Sequence, residues 1–302
     1  MLGEVALDAI RDRVLVLRRM PQLSELEYDD LALMAEHAHL VHARAGTVLL
    51  DEGSTLERIF MLVEGEAEVS KNGVTSKITG PRLVGMLELA AGVEVAPRMV
   101  LTQKSLLLEL PAEIVAAMLY ESPAIARSIV RLTARNLMQT RSHLPVPLDT
   151  PEPVEGAWTD RPLTTVERVL VLRRAPMWAH ANLDALAELA KHIEEQRVAP
   201  GTVLWEIGDE ANRTIRVEYG IVSCTNAEGE SVRVGAGFQL GALDSLAGQP
   251  RSYRAVTETK AILYSIAAAT QMAVLEVHAN LAARLRVQLS RELLQAGEAQ
   301  RP

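Results

Sequence analysis

A single cysteine, Cys224, stands in 302 residues, so no internal disulfide framework can form and the chain suits a reducing cytoplasm. Positive charge is scattered: no lysine or arginine run of any length occurs, and the formal net charge is −8. That balance argues against nucleic acid or an anionic membrane as the main partner. Long apolar runs are missing too, with none approaching the ~18 to 20 residues of a membrane span. Met1–Arg13 is charged and lacks a continuous apolar stretch, so it does not read as a signal peptide. Catalytic patterns are also absent. There is no nucleophile elbow, no phosphate loop of the Walker kind and no Cys/His metal spacing. These absences lead to the expectation of a soluble, cytoplasmic protein that is not an enzyme, with enough apolar residues (48%) to build cores.

What the chain does contain is a repeat. Val14-Leu-Val-Leu-Arg-Arg-Met-Pro21 returns as Val169-Leu-Val-Leu-Arg-Arg-Ala-Pro176, 155 positions on. The same offset carries Gly46 onto Gly201, Gly53 onto Gly208, Gly65 onto Gly220 and Thr102 onto Thr257. One register held through so many landmarks is a duplication. Between the copies lies a proline-rich stretch with Pro145, Pro147, Pro151, Pro153 and Pro162, the composition of an extended, semi-rigid linker. The expected division is domain 1 over 1–141, a linker over 142–163 and domain 2 over 164–302.

Each copy opens with helical spacing, Leu31, Met34, Ala35 and Ala38 in the first and Leu186, Leu189, Ala190 and Ile193 in the second. Glycine-punctuated, β-branched segments follow, with Asn72-Gly73 as a hairpin signal between Val69 and Val74. Each copy ends in helix. Ser122 before Pro123 is a good helix start, and Leu281, Leu285, Leu289 and Leu293 form a ladder. Two stretches stand out near the end of the β-rich parts. One is Gly85-Met86-Leu-Glu88, running to Pro97-Arg98; the other is Gly241-Ala242-Leu243-Asp244, running to Pro250-Arg251-Ser252. A short helix after a glycine, facing an arginine, is a physically sensible anion site, because free N–H groups and a forked cation converge.

With these landmarks each copy resembles a cyclic nucleotide-binding domain, the sensor module of catabolite-activator-type regulators, kinase regulatory subunits and gated channels. Gly46–Gly53 and Gly201–Gly208, then Phe60–Gly65 and Ile215–Gly220, carry the resemblance. It implies an α+β fold of two consecutive β-roll (jelly-roll-like, double-stranded β-helix) domains, each flanked by helices. It also implies a glutamate on the ribose 2′-hydroxyl after the first glycine of the cassette, and an arginine on the cyclic phosphate. Met86 and Ala242 stand where that glutamate belongs, so the carboxylate is missing twice. A hydrogen bond to a charged group contributes roughly 1.5–3 kcal/mol, so its loss weakens binding about tenfold to a hundredfold. Gly241 to Pro250 has the family's spacing, whereas Gly85 to Pro97 is longer and places Glu94 near the arginine's position. The first pocket (Gly85, Met86, Glu88, Pro97, Arg98) therefore reads as degenerate. The second (Gly241, Ala242, Leu243, Asp244, Pro250, Arg251, Ser252) is the better candidate for any ligand. Glu88 and Asp244 read chiefly as the acidic first turn of a short helix, and otherwise as substitutes for the lost ribose acceptor.

Other features favour ordinary roles. His37, His39 and His42 are expected at a helix end and in the following turn, which does not suit a metal. The arginine pairs Arg18-Arg19 and Arg173-Arg174 read as helix-surface charge. Trp158 and Trp178 read as interdomain anchors, and Cys224 as a buried small side chain. The leucine ladder packs on its own domain or forms a homodimer through the C-terminal helices. The eight residues after Leu294 and the short linker are expected to leave no room for a DNA-binding helix-turn-helix. The favoured function is a non-enzymatic regulatory protein with two degenerate pockets that acts on another protein, with no metal and no certain cofactor. The alternative is a sensor that binds cAMP, cGMP or another nucleotide in domain 2. A jelly-roll metalloenzyme is the remote third.

Overall fold

A computed structural model describes residues 10–299 except 21, 22, 24, 25, 72, 94 and 180. Glu94 and Asn72 thus lie outside the described residues. Helices α1 (Ile10–Arg18) and α2 (Tyr28–His37) precede eight strands: β1 (His39–Ala43), β2 (Val48–Leu50), β3 (Arg58–Glu64), β4 (Glu66–Lys71), β5 (Val74–Thr79), β6 (Arg82–Val84), β7 (Arg98–Leu101) and β8 (Ser105–Pro111). The short helix α3 (Met86–Ala90) sits between β6 and β7, and α4 (Ala112–Glu121) and α5 (Pro123–Thr140) follow. The strands pair antiparallel in two four-stranded sheets, β1-β8-β3-β6 and β2-β7-β4-β5. That is a jelly-roll-like β-roll with flanking helices, as the resemblance implied.

The second copy repeats it. Helices α6 (Thr165–Arg174) and α7 (Leu183–Lys191) lead into β9 (Glu194–Val198), β10 (Val203–Trp205), β11 (Arg213–Tyr219), β12 (Val222–Asn226), β13 (Ser231–Val234), β14 (Gln239–Leu240), β15 (Tyr253–Thr257) and β16 (Ala261–Ala267). Helix α8 (Ala242–Ala247) takes the place of α3, and α9 (Ala268–Val277) and α10 (Ala279–Ala299) close the copy. Its sheets are β9-β16-β11-β14 and β10-β15-β12-β13. Even the irregularities recur at the 155-residue offset. The register slips between Leu62 and Glu64 and again between Val217 and Tyr219, just before Gly65 and Gly220.

Local chemistry accounts for the helix starts. Thr164 and Glu167 form a reciprocal capping box on α6, and the Asn182 side chain accepts from the Ala185 N–H on α7. Ser122 accepts from the Ile125 N–H at 3.2 Å at the head of α5, as the Ser-Pro pair suggested. Leu31, Met34 and Ala35 are the buried face of α2. His39 and His42, by contrast, lie on strand β1 and are exposed, not in a helix end and turn. No group of three metal-ligating side chains occurs among the described residues, and no described helix is long and apolar enough to cross a membrane.

The packing units are not the sequence repeats. One compact unit is Met1–Ile129 with Arg286–Pro302, and the other is Val130–Leu285. The second β-roll therefore includes most of α5 and all of 142–163. Far from being a free spacer, that stretch is strapped down: the Gly220 N–H donates to Glu155 O (2.8 Å) and the Ala236 N–H to Val154 O (2.8 Å). Trp158 packs edge-on to Tyr219, with centroids 5.2 Å apart, beneath the Lys260 ammonium, so it anchors the strap to its own β-roll. Leu281, Leu285 and Leu289 of the ladder are buried within the chain.

Candidate functional site

The cassette of the second unit begins where β14 ends. Gly241 takes a left-handed φ of 72°, which opens α8, and Gly248 closes the helix with φ 61°. Arg251 then turns back under it. Its backbone is fixed from both sides, since its N–H donates to Asp209 O (2.8 Å) and its carbonyl accepts from the Gly208 N–H (2.9 Å). The guanidinium is 1% exposed. Nη1 donates to Gly241 O at 3.1 Å, and Nη2 makes a short bond to Arg213 O. The group lies 4.1 Å from the centroid of the Trp205 ring, a desolvated cation–π contact. A Cβ on Gly241 would collide with that guanidinium, so glycine is demanded twice, by the φ and by the close approach.

Asp244 completes the arrangement. One carboxylate oxygen accepts from the Ser252 hydroxyl (2.7 Å) and N–H (3.2 Å), and the other lies 3.8 Å from Arg251 Nη1. Burial pushes this carboxyl above its ordinary range; the Ser252 bonds and the Arg251 charge oppose that shift. Tyr253 closes the floor, its hydroxyl oxygen accepting from the Gly241 N–H at 2.8 Å. Gly241, Asp244, Arg251 and Ser252 are thus brought together in one network. Its donors, however, are already directed at the protein's own carbonyls.

The strap packs against this network. Ser252 Oγ, whose one proton Asp244 and His143 O (2.9 Å) share, reaches the strap, and Asn226 Nδ2 donates to Ser142 O (2.8 Å). Leu144 and Val146 enter the apolar cluster formed by Trp205, Val232, Val234 and Tyr253. Trp205, Tyr253 and these two strap residues carry no motif that marks them in the sequence.

The first unit shows the same turn with different occupants. Gly85 has φ 91°, and a Cβ there would meet the Leu56 side chain, not a guanidinium. The residue matching Arg251 is Ala96, as the backbone shows: the Ala96 N–H donates to Ser54 O and its carbonyl accepts from the Gly53 N–H, with Ser54 and Gly53 in the places of Asp209 and Gly208. Arg98 does not hold that place, Glu94 lies outside the described residues, and the 155-residue offset alone points to Ala96. Arg98 is exposed at the head of β7. Glu88, the counterpart of Asp244, is buried and faces Lys71 Nζ at 3.5 Å. Beside this pair is a cavity of about 270 Å³, lined by β4, β5, β6 and α3 together with Pro97 and Leu294. Two arginines secure the end of α3: Arg286 Nη1 donates to Ala90 O (3.0 Å) and Arg291 Nε to Ala91 O (2.9 Å). In the second unit Arg135 Nε does the same for Ala247 O at 3.1 Å.

No family model matches this sequence, and no curated protein matches it. Solved structures do. The regulatory domain of Toxoplasma gondii PKA with cAMP is 15% identical, with 95% of this chain and 97% of that one covered and a TM-score of 0.37. The regulatory subunit of a cAMP-independent protein kinase A from Trypanosoma brucei is 16% identical over 99% and 92%, with a TM-score of 0.36. The N-terminal domain of a transcriptional regulator from Streptomyces coelicolor A3(2) is 27% identical and matches 44% of this chain and 98% of its own, with a TM-score of 0.38. At these TM-scores the overlaps say nothing about ligand or partner, and the chemistry rests on this chain's own residues.

Proposed function

We propose that this chain is a non-enzymatic regulatory protein of two cyclic-nucleotide-binding-like domains that acts through contact with another protein, its second cradle holding the fold in place of a nucleotide phosphate. The observation that carries this reading is Arg251. Nη1 and Nη2 of Arg251 each donate to a main-chain carbonyl, Gly241 O and Arg213 O, under Trp205 and with the side chain 1% exposed, so two of the donors a phosphate would use are engaged by the chain itself. An incoming phosphate would have to compete with those bonds.

Thermal unfolding with a panel of cyclic mono- and dinucleotides tests this reading. A ligand at a hundred times its Kd stabilises by about 2.7 kcal/mol, and each kcal/mol moves the midpoint by roughly 2–4 °C at this size. The expected result is no shift with any cyclic nucleotide, together with a loss of about 3–5 kcal/mol in Arg251→Ala, the cost of leaving a buried partner uncompensated. A nucleotide-dependent shift that Arg251→Ala abolishes would establish the sensor alternative instead.

A further inference from the structure

Helices α1 and α2 of the first unit carry a surface that the core leaves unused. They form an antiparallel hairpin: the connection is short, and Arg13, early in α1, donates to Ala35 O (2.9 Å) and Ala38 O (2.7 Å) at the end of α2. Val14, Val16 and Leu17 of α1 and Leu31, Met34 and Ala35 of α2 enter one core cluster. The opposite faces are patterned. Arg11, Leu15 and Arg18 on α1, and Asp29, Leu33 and Glu36 on α2, are all exposed. Each set has the spacing i, i+4, i+7 that lines one side of a helix. Leu15 is 56% exposed and Leu33 41%. One helix thus presents a leucine between two arginines, the other a leucine between two carboxylates. None of these four charged side chains makes an ion pair among the described residues.

The second hairpin, α6 and α7, shows that the fold does not require this pattern. At the 155-residue offset Val166 stands for Arg11, Glu188 for Leu33 and Lys191 for Glu36. There Glu188 and Lys191 satisfy each other on one helix, at 2.7 Å. In the first hairpin the basic and acidic faces lie side by side and look outward. A second copy, turned about a two-fold axis that runs along the helices, brings them face to face. That operation lays α1 of each copy antiparallel over α2 of the other, so every contact occurs twice. Arg18 then meets Asp29, Arg11 meets Glu36, and Leu15 meets Leu33 to within one residue's rise of ~1.5 Å. The leucines supply the apolar burial, and the charges fix the register, since exposed ion pairs add little affinity by themselves. Helices of nine and ten residues make a small contact, below the ~1,200 Å² of stable interfaces, so the association belongs to the micromolar range.

We propose that two copies of this chain associate through α1 and α2 of their first units, with Arg11 and Arg18 of each copy on Glu36 and Asp29 of the other. Neither cassette takes part, so the outcome is independent of the nucleotide panel above. Sedimentation equilibrium of the full chain over roughly 1–500 μM should show a monomer–dimer equilibrium. Arg18→Glu and Asp29→Lys each set like charges against one another at two symmetry-related contacts. Each variant alone should dimerise at least about tenfold more weakly. Mixed in equal amounts, the two should associate as the wild type does. The substituted positions then oppose each other with opposite charge at one contact, and the native Arg18–Asp29 pair fills the other. Both positions are exposed, and recovery on mixing shows that each variant is folded. Leu170→Glu, at the matching leucine of the second unit, should leave the dimer intact. The proposal is overturned if the chain stays monomeric throughout, which would assign the face to a different protein. It is equally overturned if Arg18→Glu dimerises unchanged, if the mixture does not recover, or if Leu170→Glu abolishes the dimer.

Discussion

One side chain separates the two cassettes. Arg251 and Ala96 have the same backbone partners, yet a guanidinium needs carbonyls, a carboxylate and an aromatic face, while a methyl group needs none of these. Asp244 bears the electrical consequence. Its folded pKa lies above the unfolded one because burial outweighs the Ser252 bonds and the Arg251 charge. A raised folded value means that its contribution to stability is fully present below the unfolded pKa of about 4. That contribution is lost as pH rises through the folded value. Asp244→Asn removes the titration and retains an oxygen for Ser252. Midpoints measured by scanning calorimetry from acid to neutral pH should therefore show the variant's advantage over wild type growing with pH. Parallel curves would mean that Asp244 titrates normally in the folded chain.

Among the elements, the proline-rich stretch departs most from its composition. Five prolines and few apolar residues read as an extended spacer, yet the stretch opens in turns, with left-handed φ at Ser142 (51°) and His143 (60°). Its role is settled by two apolar side chains, Leu144 at 1% and Val146 at 9% exposure, and by carbonyls that accept from Asn226 and Ser252. Leu144→Ala should cost about 2–5 kcal/mol, the range of buried leucine truncations. A free linker residue would cost within about 0.5 kcal/mol, so denaturant unfolding separates the two directly. The arginines that secure the cassette helices show the same limit on sequence reading. No motif marks Arg135, Arg286 or Arg291, yet each donates to a carbonyl at the end of α8 or α3, groups that a short helix leaves unsatisfied.

At the scale of the whole molecule, repeat and packing unit diverge. Residues 164–302 contain the complete second repeat but lack Arg135, Leu144, Val146 and the strap that bonds to Gly220 and Ala236. Expressed alone, 164–302 should expose apolar surface and bind a hydrophobic dye. Residues 130–285, the second compact unit, should unfold cooperatively with a sharp near-ultraviolet signal. The opposite ranking would mean that the strap is incidental to that fold.

The sequence by itself determined the duplication, the α+β β-roll class and the glycine turns. Local rules govern these: a periodic apolar face, a cap, or a backbone angle that only glycine takes without strain. It also located both cassettes to within a residue or two. What only the tertiary structure decided is what occupies them. The partners of Arg251 come from β11, from Trp205 at the end of β10 and from the cassette's own first glycine. The strap comes from 142–163, and the wall of the first cavity reaches as far as Leu294. These residues are brought together by long-range packing, whose free energy depends on burial and on which donors are already spent, and no local pattern records that. Gly241–Arg251 thus turns back on itself, with its arginine bonded to the chain's own carbonyls.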